Sequence, residues 1–132
     1  MDKLPADRQP TLRLVPHPGD TNTAGDIFGG WIMSQVDIAG AVEAVRRARG
    51  RVVTVAVNAF EFHKPVFVGD LVSFYAEVVR VGNTSLTVDV VVYSERGWRN
   101  EPIFGECIKV TEATLTYVTI DENRKPVQVQ TN

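Results

Sequence analysis

The rhythm of apolar and polar residues changes once along the chain, at Gly50. Before it, from about Phe28 to Arg49, apolar side chains recur at spacings of three and four. Ile32, Val36 and Ala39 lie on one stripe with Glu43, and Met33, Gly40 and Ala44 line an adjacent one. That spacing predicts a helix. Arg46, Arg47 and Arg49 fall in its last turn, where cations suit the negative end of the helix dipole. Gly50 supplies a C-terminal stop, and Asp26 is placed to cap the start or nearly so. The stretch from Pro16 to Gly25, with its prolines, glycines, Asp20 and Asn22, reads as a loop.

After Gly50 the period shortens to two. Arg51 to Phe62 is β-rich, Leu71 to Val81 is a second long strand, and Thr84 to Glu95 alternates Leu86, Val88, Val90 and Val92 against Thr87, Asp89, Val91 and Tyr93. Ile103 to Ile120 is a last strand, with Thr114, Thr116 and Thr119 among apolar neighbours. Turns are expected at Pro65–Asp70 and at Gly82–Asn83, the latter a hairpin signal, and a polar loop over Arg96–Pro102. Thr11 to Val15 alternates and predicts a short strand. The order is therefore a short strand, one long helix and four long strands, which gives an antiparallel sheet with one helix against it, a two-layer α+β domain. The helix is apolar on more than one face. A sheet wrapped around it and a partner subunit over the remainder satisfy that pattern. Residues 1–10 read as a loose tail, 11–122 as a single domain and 123–132 as a polar tail. No internal repeat or low-complexity segment is found.

Composition narrows the function. The 132 residues fit one domain, and 44% hydrophobic residues supply its core. A net charge of -2 argues against a general nucleic-acid binder. The single cysteine, Cys107, rules out an internal disulfide framework, and no Cys/His spacing suits a metal. Met1 to Pro10 has no apolar signal core, and Asp37, Asn58 and similar residues break the apolar runs, so neither a signal peptide nor a membrane span is expected. A cytoplasmic location follows as the simplest expectation.

Candidate chemistry concentrates in Asp26-Ile27-Phe28-Gly29-Gly30-Trp31-Ile32-Met33-Ser34-Gln35-Val36-Asp37. A helix start offers free backbone N–H donors and a partial positive charge. Those amides can polarise a carbonyl and receive the oxyanion formed when it is attacked. Glycines at 29 and 30 let a ligand approach the backbone. Asp37, an acid in an apolar run, can activate water or attack a carbonyl itself. The residues alone leave a second reading open, in which the glycines permit tight packing and Asp37 accepts interface hydrogen bonds. Spacing adds a constraint. Gly30 and Asp37 share a helix face but lie about 10.5 Å apart along the axis. One carbonyl cannot meet both on one helix, so a shared reaction requires two helices, as in an antiparallel pair across a two-fold dimer.

The segment Asn22-Thr23-Ala24-Gly25-Asp26-Ile27-Phe28-Gly29-Gly30-Trp31-Ile32-Met33-Ser34-Gln35-Val36-Asp37 resembles the signature of the bacterial YciA-type acyl-CoA thioesterases, hotdog-fold hydrolases related to the brain-type cytosolic acyl-CoA hydrolase. The likeness continues through Arg51-Val52-Val53-Thr54-Val55-Ala56-Val57 and Lys64-Pro65-Val66-Phe67-Val68-Gly69-Asp70, over roughly residues 12–120. It implies a hotdog fold, a long helix wrapped by a curved antiparallel sheet, and hydrolysis of acyl-CoA to a free acid and CoA. No separate cofactor is implied, since CoA is part of the substrate. Asp37 matches the family's catalytic acid, and the position of Asp26 is implicated in some members. The amides near Gly29 and Gly30 would hold the thioester carbonyl. A homodimer with sites between subunits, assembled further as a trimer of dimers, is the implied partner state.

Asn22, Gly29, Trp31, Lys64, Thr84 and Ser85 are expected to bind the substrate, with Trp31 a candidate wall of an acyl pocket and Lys64 a candidate contact to a CoA phosphate. Two departures bear on the phosphate contacts. Asn83 stands where members often carry a basic residue, in the turn before Thr84-Ser85, and the tail after Asn123 is short. His63 stands where an apolar residue is common. On the residues, Lys64 is equally a solvated strand-end lysine, and Trp31 equally an interface residue. The basic run of Arg46, Arg47, Arg49 and Arg51 is read as a solvated helix end. His17 and His63 are read as structural or surface residues, and Cys107 as a small core residue. Two other functions remain on the same fold. An enoyl-CoA hydratase normally sets a histidine five residues after the aspartate, where this chain has Val42. A non-catalytic acyl-CoA-binding module needs only the pocket.

Overall fold

The computed structural model describes residues 2–96 and 105–131. The expected loop over 97–102 and the expected strand start at Ile103 lie outside those residues. The chain runs through β1 (Leu12–Leu14), a single 3-10 turn (Pro18–Asp20), α1 (Gly29–Ala48), β2 (Arg51–Phe62), β3 (Leu71–Val81), β4 (Ser85–Glu95) and β5 (Cys107–Ile120). The five strands form one antiparallel sheet in the order β1-β3-β4-β5-β2. One long helix against such a sheet is the hotdog arrangement.

The inner face of the sheet follows the period-two pattern. Leu86, Val88, Val90 and Val92 of β4 are fully buried, as are Phe74 of β3 and Tyr117 of β5. All but Leu86 meet Ile32, Val36, Ala39 and Ala44 of α1 in one cluster, and Leu86 packs with Ala48 at the far end of the helix. Small residues at 39, 40 and 44 let the helix lie close to the strands, because burial of large side chains comes from the sheet side. Met33, Ile38 and Val45 remain 42%, 50% and 44% exposed on the other side of α1.

Two boundaries differ from the sequence expectation. The helix N-cap is Phe28, which makes no side-chain cap bond, and Asp26 instead pairs with Phe67 in an isolated bridge. At the far end the left-handed residue is Arg49 (φ 56°), whose N–H closes on the Val45 carbonyl, so Gly50 lies one residue beyond the stop. The connection from β2 to β3 is also no hairpin, since β2 lies at the opposite side of the sheet from β3, beyond β4 and β5. Residues 63–70 therefore travel along the end of the sheet, past the helix start.

Both terminal segments pack. The Asp2 carboxylate accepts from the Lys109 N–H at 2.7 Å, and the Arg8 guanidinium lies 5.4 Å over the Tyr75 ring. Arg8 thus covers Tyr75 on the outer face of β3, and Arg13 Nε donates to the neighbouring buried Ser73 Oγ at 2.7 Å. At the other end Val129 is buried with Ala48 and Leu86, and its N–H donates to the Asn83 carbonyl at 2.7 Å.

Leu115, 1% exposed at the centre of β5, gives a direct measure of this core. Leu115→Ala is expected to cost about 3 kcal/mol. Urea unfolding checks it through a lower midpoint at an unchanged slope.

Candidate active site

Asp37 sits in the third turn of α1, partly buried, where the sheet presents two hydroxyls to it. Thr54 Oγ1 donates to Asp37 Oδ1 at 2.7 Å, and Tyr117 Oη donates to the same oxygen at 3.0 Å and lies 2.9 Å from the Asp37 carbonyl. The register explains the meeting, because Thr54 of β2 lies directly opposite Tyr117 of β5. Directly opposed residues project from the same face of a sheet. Bulges follow in β2 between Thr54 and Ala56 and between Val57 and Ala59. Asp37 Oδ2 takes no hydrogen bond among the described residues. One oxygen is thus held and the other is bare.

Tyr117 is fully buried. Burial pushes its phenol far above the ordinary tyrosine range, and the Asp37 carboxylate pushes it further the same way. The phenol therefore keeps its proton and acts as a fixed donor. Space for it is made by Gly40, one turn after Asp37. A Cβ at position 40 would lie 3.1 Å from Tyr117 Cζ and closer still to the hydroxyl. Thr54, Tyr117 and Gly40 were not singled out from sequence. A glycine inside an apolar helix, three residues after an acid, was the available signal, since a glycine there is unfavourable without a close neighbour.

The helix start is built by the loop before it. Asn22 Oδ1 accepts from the N–H groups of Ala24 and Asp26 at 2.9 and 3.1 Å, closing a turn. Asp26 returns a carbonyl to the Asn22 N–H at 2.7 Å. The Ile27 N–H donates to the Val66 carbonyl, and the Phe28 N–H to the Asp20 carbonyl, both at 2.8 Å. Helical bonding then begins with the N–H of Trp31 on the Phe28 carbonyl at 3.1 Å. Among the described residues no acceptor takes the N–H of Gly29 or Gly30. The two glycines differ. A Cβ at Gly29 would press on the Phe62 ring at 3.2 Å, whereas a Cβ at Gly30 would meet nothing within 4 Å. Packing within the subunit accounts for the first glycine and leaves the second unexplained.

The structure brings Asn22, Asp26, Gly29, Gly30 and Trp31 together at one end of α1. The exposed Lys64 lies on the 63–70 loop, whose Val66 and Phe67 pair with the same region. Trp31 packs on Phe74, ring centroids 6.4 Å apart. Thr84 and Ser85 are not part of this group within one subunit. They lie at the β3–β4 turn, where the Thr84 carbonyl accepts from the Thr119 N–H at 2.9 Å, beside the C-terminal end of α1. His63 Nε2 pairs with Glu112 at 2.8 Å on the surface, and burial pushes the Cys107 thiol up, away from nucleophilic use. Among the described residues no group of His, Cys, Asp or Glu could hold a metal, and no helix is long and apolar enough to cross a membrane.

Comparison with known proteins agrees with this geometry. The profile of the thioesterase superfamily matches residues 24–98. The acyl-CoA thioester hydrolase YciA of Escherichia coli K12 is 49% identical over 115 residues, covering 87% of this chain and 86% of its own. An uncharacterized acyl-CoA thioester hydrolase of Buchnera aphidicola is 52% identical over 115 residues, covering 87% and 84%. Among solved structures, Cj0915, a hexameric hotdog fold thioesterase of Campylobacter jejuni, is 44% identical with a TM-score of 0.87 over 93% of this chain and 91% of that one. The hexameric thioesterase y2039 from Yersinia pestis is 43% identical with a TM-score of 0.88, covering 97% and 100%.

Two outcomes test the Asp37 cradle. Helix propensity alone favours alanine over glycine by about 1 kcal/mol. Gly40→Ala is nevertheless expected to lower the melting temperature in a thermal scan, because the added methyl displaces Tyr117. The second concerns pH. A phenol whose folded pKa is raised contributes stability fully below the unfolded value of about 10, and loses it as pH rises beyond that. Unfolding measured from neutral into alkaline solution should show wild-type stability falling above about pH 10, with a shallower fall in Tyr117→Phe.

Proposed function

The chain belongs to the thioesterase superfamily, among its YciA-type acyl-CoA thioester hydrolases, and on that basis we propose that it hydrolyses acyl-CoA to a carboxylic acid and CoA at a site shared by two subunits. The carrying observation is the pairing of a half-held carboxylate with free helix-start amides. Asp37 has Oδ1 fixed by two hydroxyls, while among the described residues Oδ2 and the N–H groups of Gly29 and Gly30 have no partner. The thioester carbonyl lies on those amides. The Oδ2 lone pair takes a proton from water as its oxygen bonds to the carbonyl carbon, or attacks that carbon directly to form an acyl–Asp37 anhydride that water then hydrolyses to the acid and the free carboxylate. The amides receive the negative charge that develops on the carbonyl oxygen. Collapse breaks the C–S bond, and the departing CoA sulfur takes up a proton. Thr54 and Tyr117 keep the carboxylate aimed throughout.

The helical spacing supports a site with its two halves on different subunits, Gly29 and Gly30 of one facing the partner subunit's Asp37. The surface supports an interface there. β2 is a twelve-residue edge strand with Val55, Val57 and Phe62 54%, 48% and 50% exposed, and Phe28 and Ile38 add 51% and 50%. A long apolar edge calls for a cover. A homodimer, assembled into a hexamer like the solved relatives, provides one. The exposed Lys64, on the loop beside the helix start, is the candidate contact to a CoA phosphate, and Thr84 and Ser85 would join the site from another subunit.

An acyl-CoA panel read with a thiol reagent tests the reaction. Wild type should release CoA, and Asp37→Ala should lose about a thousandfold or more in kcat. A wild type silent on every chain length refutes the activity, and an Asp37→Ala variant with full activity refutes the role of Asp37. Mixing tests the shared site. Subunits of Asp37→Ala and Gly30→Val, each inactive alone, should regain roughly a quarter of wild-type activity on random reassociation, because half the dimers carry one intact site. A site contained in one subunit regains none.

A further inference from the structure

The loop between β2 and β3 carries a lock of its own. Asp70 is 4% exposed, and its Oδ2 accepts from the Phe67 N–H at 3.0 Å, from Ser94 Oγ at 2.8 Å and from Arg96 Nε at 3.3 Å. The Arg96 guanidinium also donates to the Pro65 carbonyl and lies 4.6 Å over the Phe67 ring. A carboxylate this deep persists only when its lone pairs are filled and a cation is near. Arg96 therefore grips the loop three ways, through its charge, its second N–H and its flat face. A lysine could supply only the first.

The sheet does not need this side chain to close. The Arg96 N–H already donates to the Glu106 carbonyl at 2.8 Å, and the Arg96 carbonyl accepts from the Gly105 N–H at 2.7 Å. Those backbone bonds tie the ends of β4 and β5. The side chain reaches instead to residues 65–70, and the other side of that loop holds the helix entrance. Val66, fully buried, accepts from the Ile27 N–H, and Phe67 bridges Asp26. From Ile27 the chain needs one more residue, Phe28, to reach Gly29. The end of β4 thus fixes the loop, and the loop fixes where the helix begins.

We propose that Asp70 and Arg96 are positioning residues for the hydrolysis: through the 65–70 loop they set the placement of the Gly29 and Gly30 amides. This rests on the hydrolase reading above. Neither side chain touches those amides, so the effect is transmitted through Val66 and Phe67. Oxyanion stabilisation is sensitive to such placement, because a displacement of about 1 Å can cost on the order of a hundredfold in rate.

The test measures acyl-CoA hydrolysis by wild type, Arg96→Met, Arg96→Lys, Asp70→Asn and Val129→Ala, each well below its own unfolding midpoint. Val129→Ala removes packing at the opposite end of the helix and serves as the control for stability loss alone. Arg96→Met is expected to lose about tenfold or more in kcat per folded molecule, with KM changed by less than about threefold. Arg96→Lys should recover part of the loss, Asp70→Asn should fall between them, and Val129→Ala should melt earlier at wild-type kcat. The proposal is overturned if folded Arg96→Met retains wild-type kcat, or if Val129→Ala loses as much. Should Arg96→Met not fold, Arg96→Lys decides by the same criterion, a kcat loss against a nearly constant KM. A wild type that releases no CoA overturns the hydrolase reading itself, which separates that failure from this one.

Discussion

The site depends on one arrangement, a carboxylate on a helix that lies in a curved apolar trough and is held there by hydroxyls from the trough wall. Asp37 Oδ1 receives Thr54 and Tyr117, and Tyr117 is wholly buried. A buried phenol without a partner is costly, and so is a carboxylate at the edge of a core. Each answers the other's requirement. The pair also sets the distance between α1 and β5, which is why position 40 has no room for a side chain. The same atoms hold the carboxylate and the helix, so a change that frees the carboxylate also loosens the helix against the sheet.

The second half of the site is made by connections. The chain approaches α1 through a turn closed by Asn22, a bond to Val66 and a bond to Asp20. It enters the helix at Phe28, which offers no side-chain cap. An uncapped start leaves amides free. In an ordinary helix a capping side chain would satisfy them. The 65–70 loop supplies the rigidity a cap would have given, from outside the path of a ligand.

The edge strand β2 connects the two halves. It provides Thr54 to the carboxylate and Phe62 to the packing of Gly29, and it leaves Val55 and Val57 exposed. One strand thus reaches both the carboxylate and the helix start, and its outer edge carries exposed apolar side chains. That is the geometry by which a small domain can complete a site it carries only in separated parts.

Much of this was legible in the chain. The change of period at Gly50, the alternation of β4 and the spacing of Ile32, Val36 and Ala39 identified the helix, the strands and their inner faces, because those patterns express burial residue by residue. The seven-residue interval already placed Gly30 and Asp37 two turns apart on the helix, since helical rise is fixed by local geometry. The partners of Asp37 were not legible. Thr54 and Tyr117 are 17 and 80 residues away from it, and their meeting depends on β2 pairing with β5 rather than with its neighbour in sequence. The same holds for Arg96 and Asp70, joined across 26 residues. Local periodicity determines which way a residue faces. Which residue it faces is decided by strand order and register, and these arise only when the whole sheet closes around the helix.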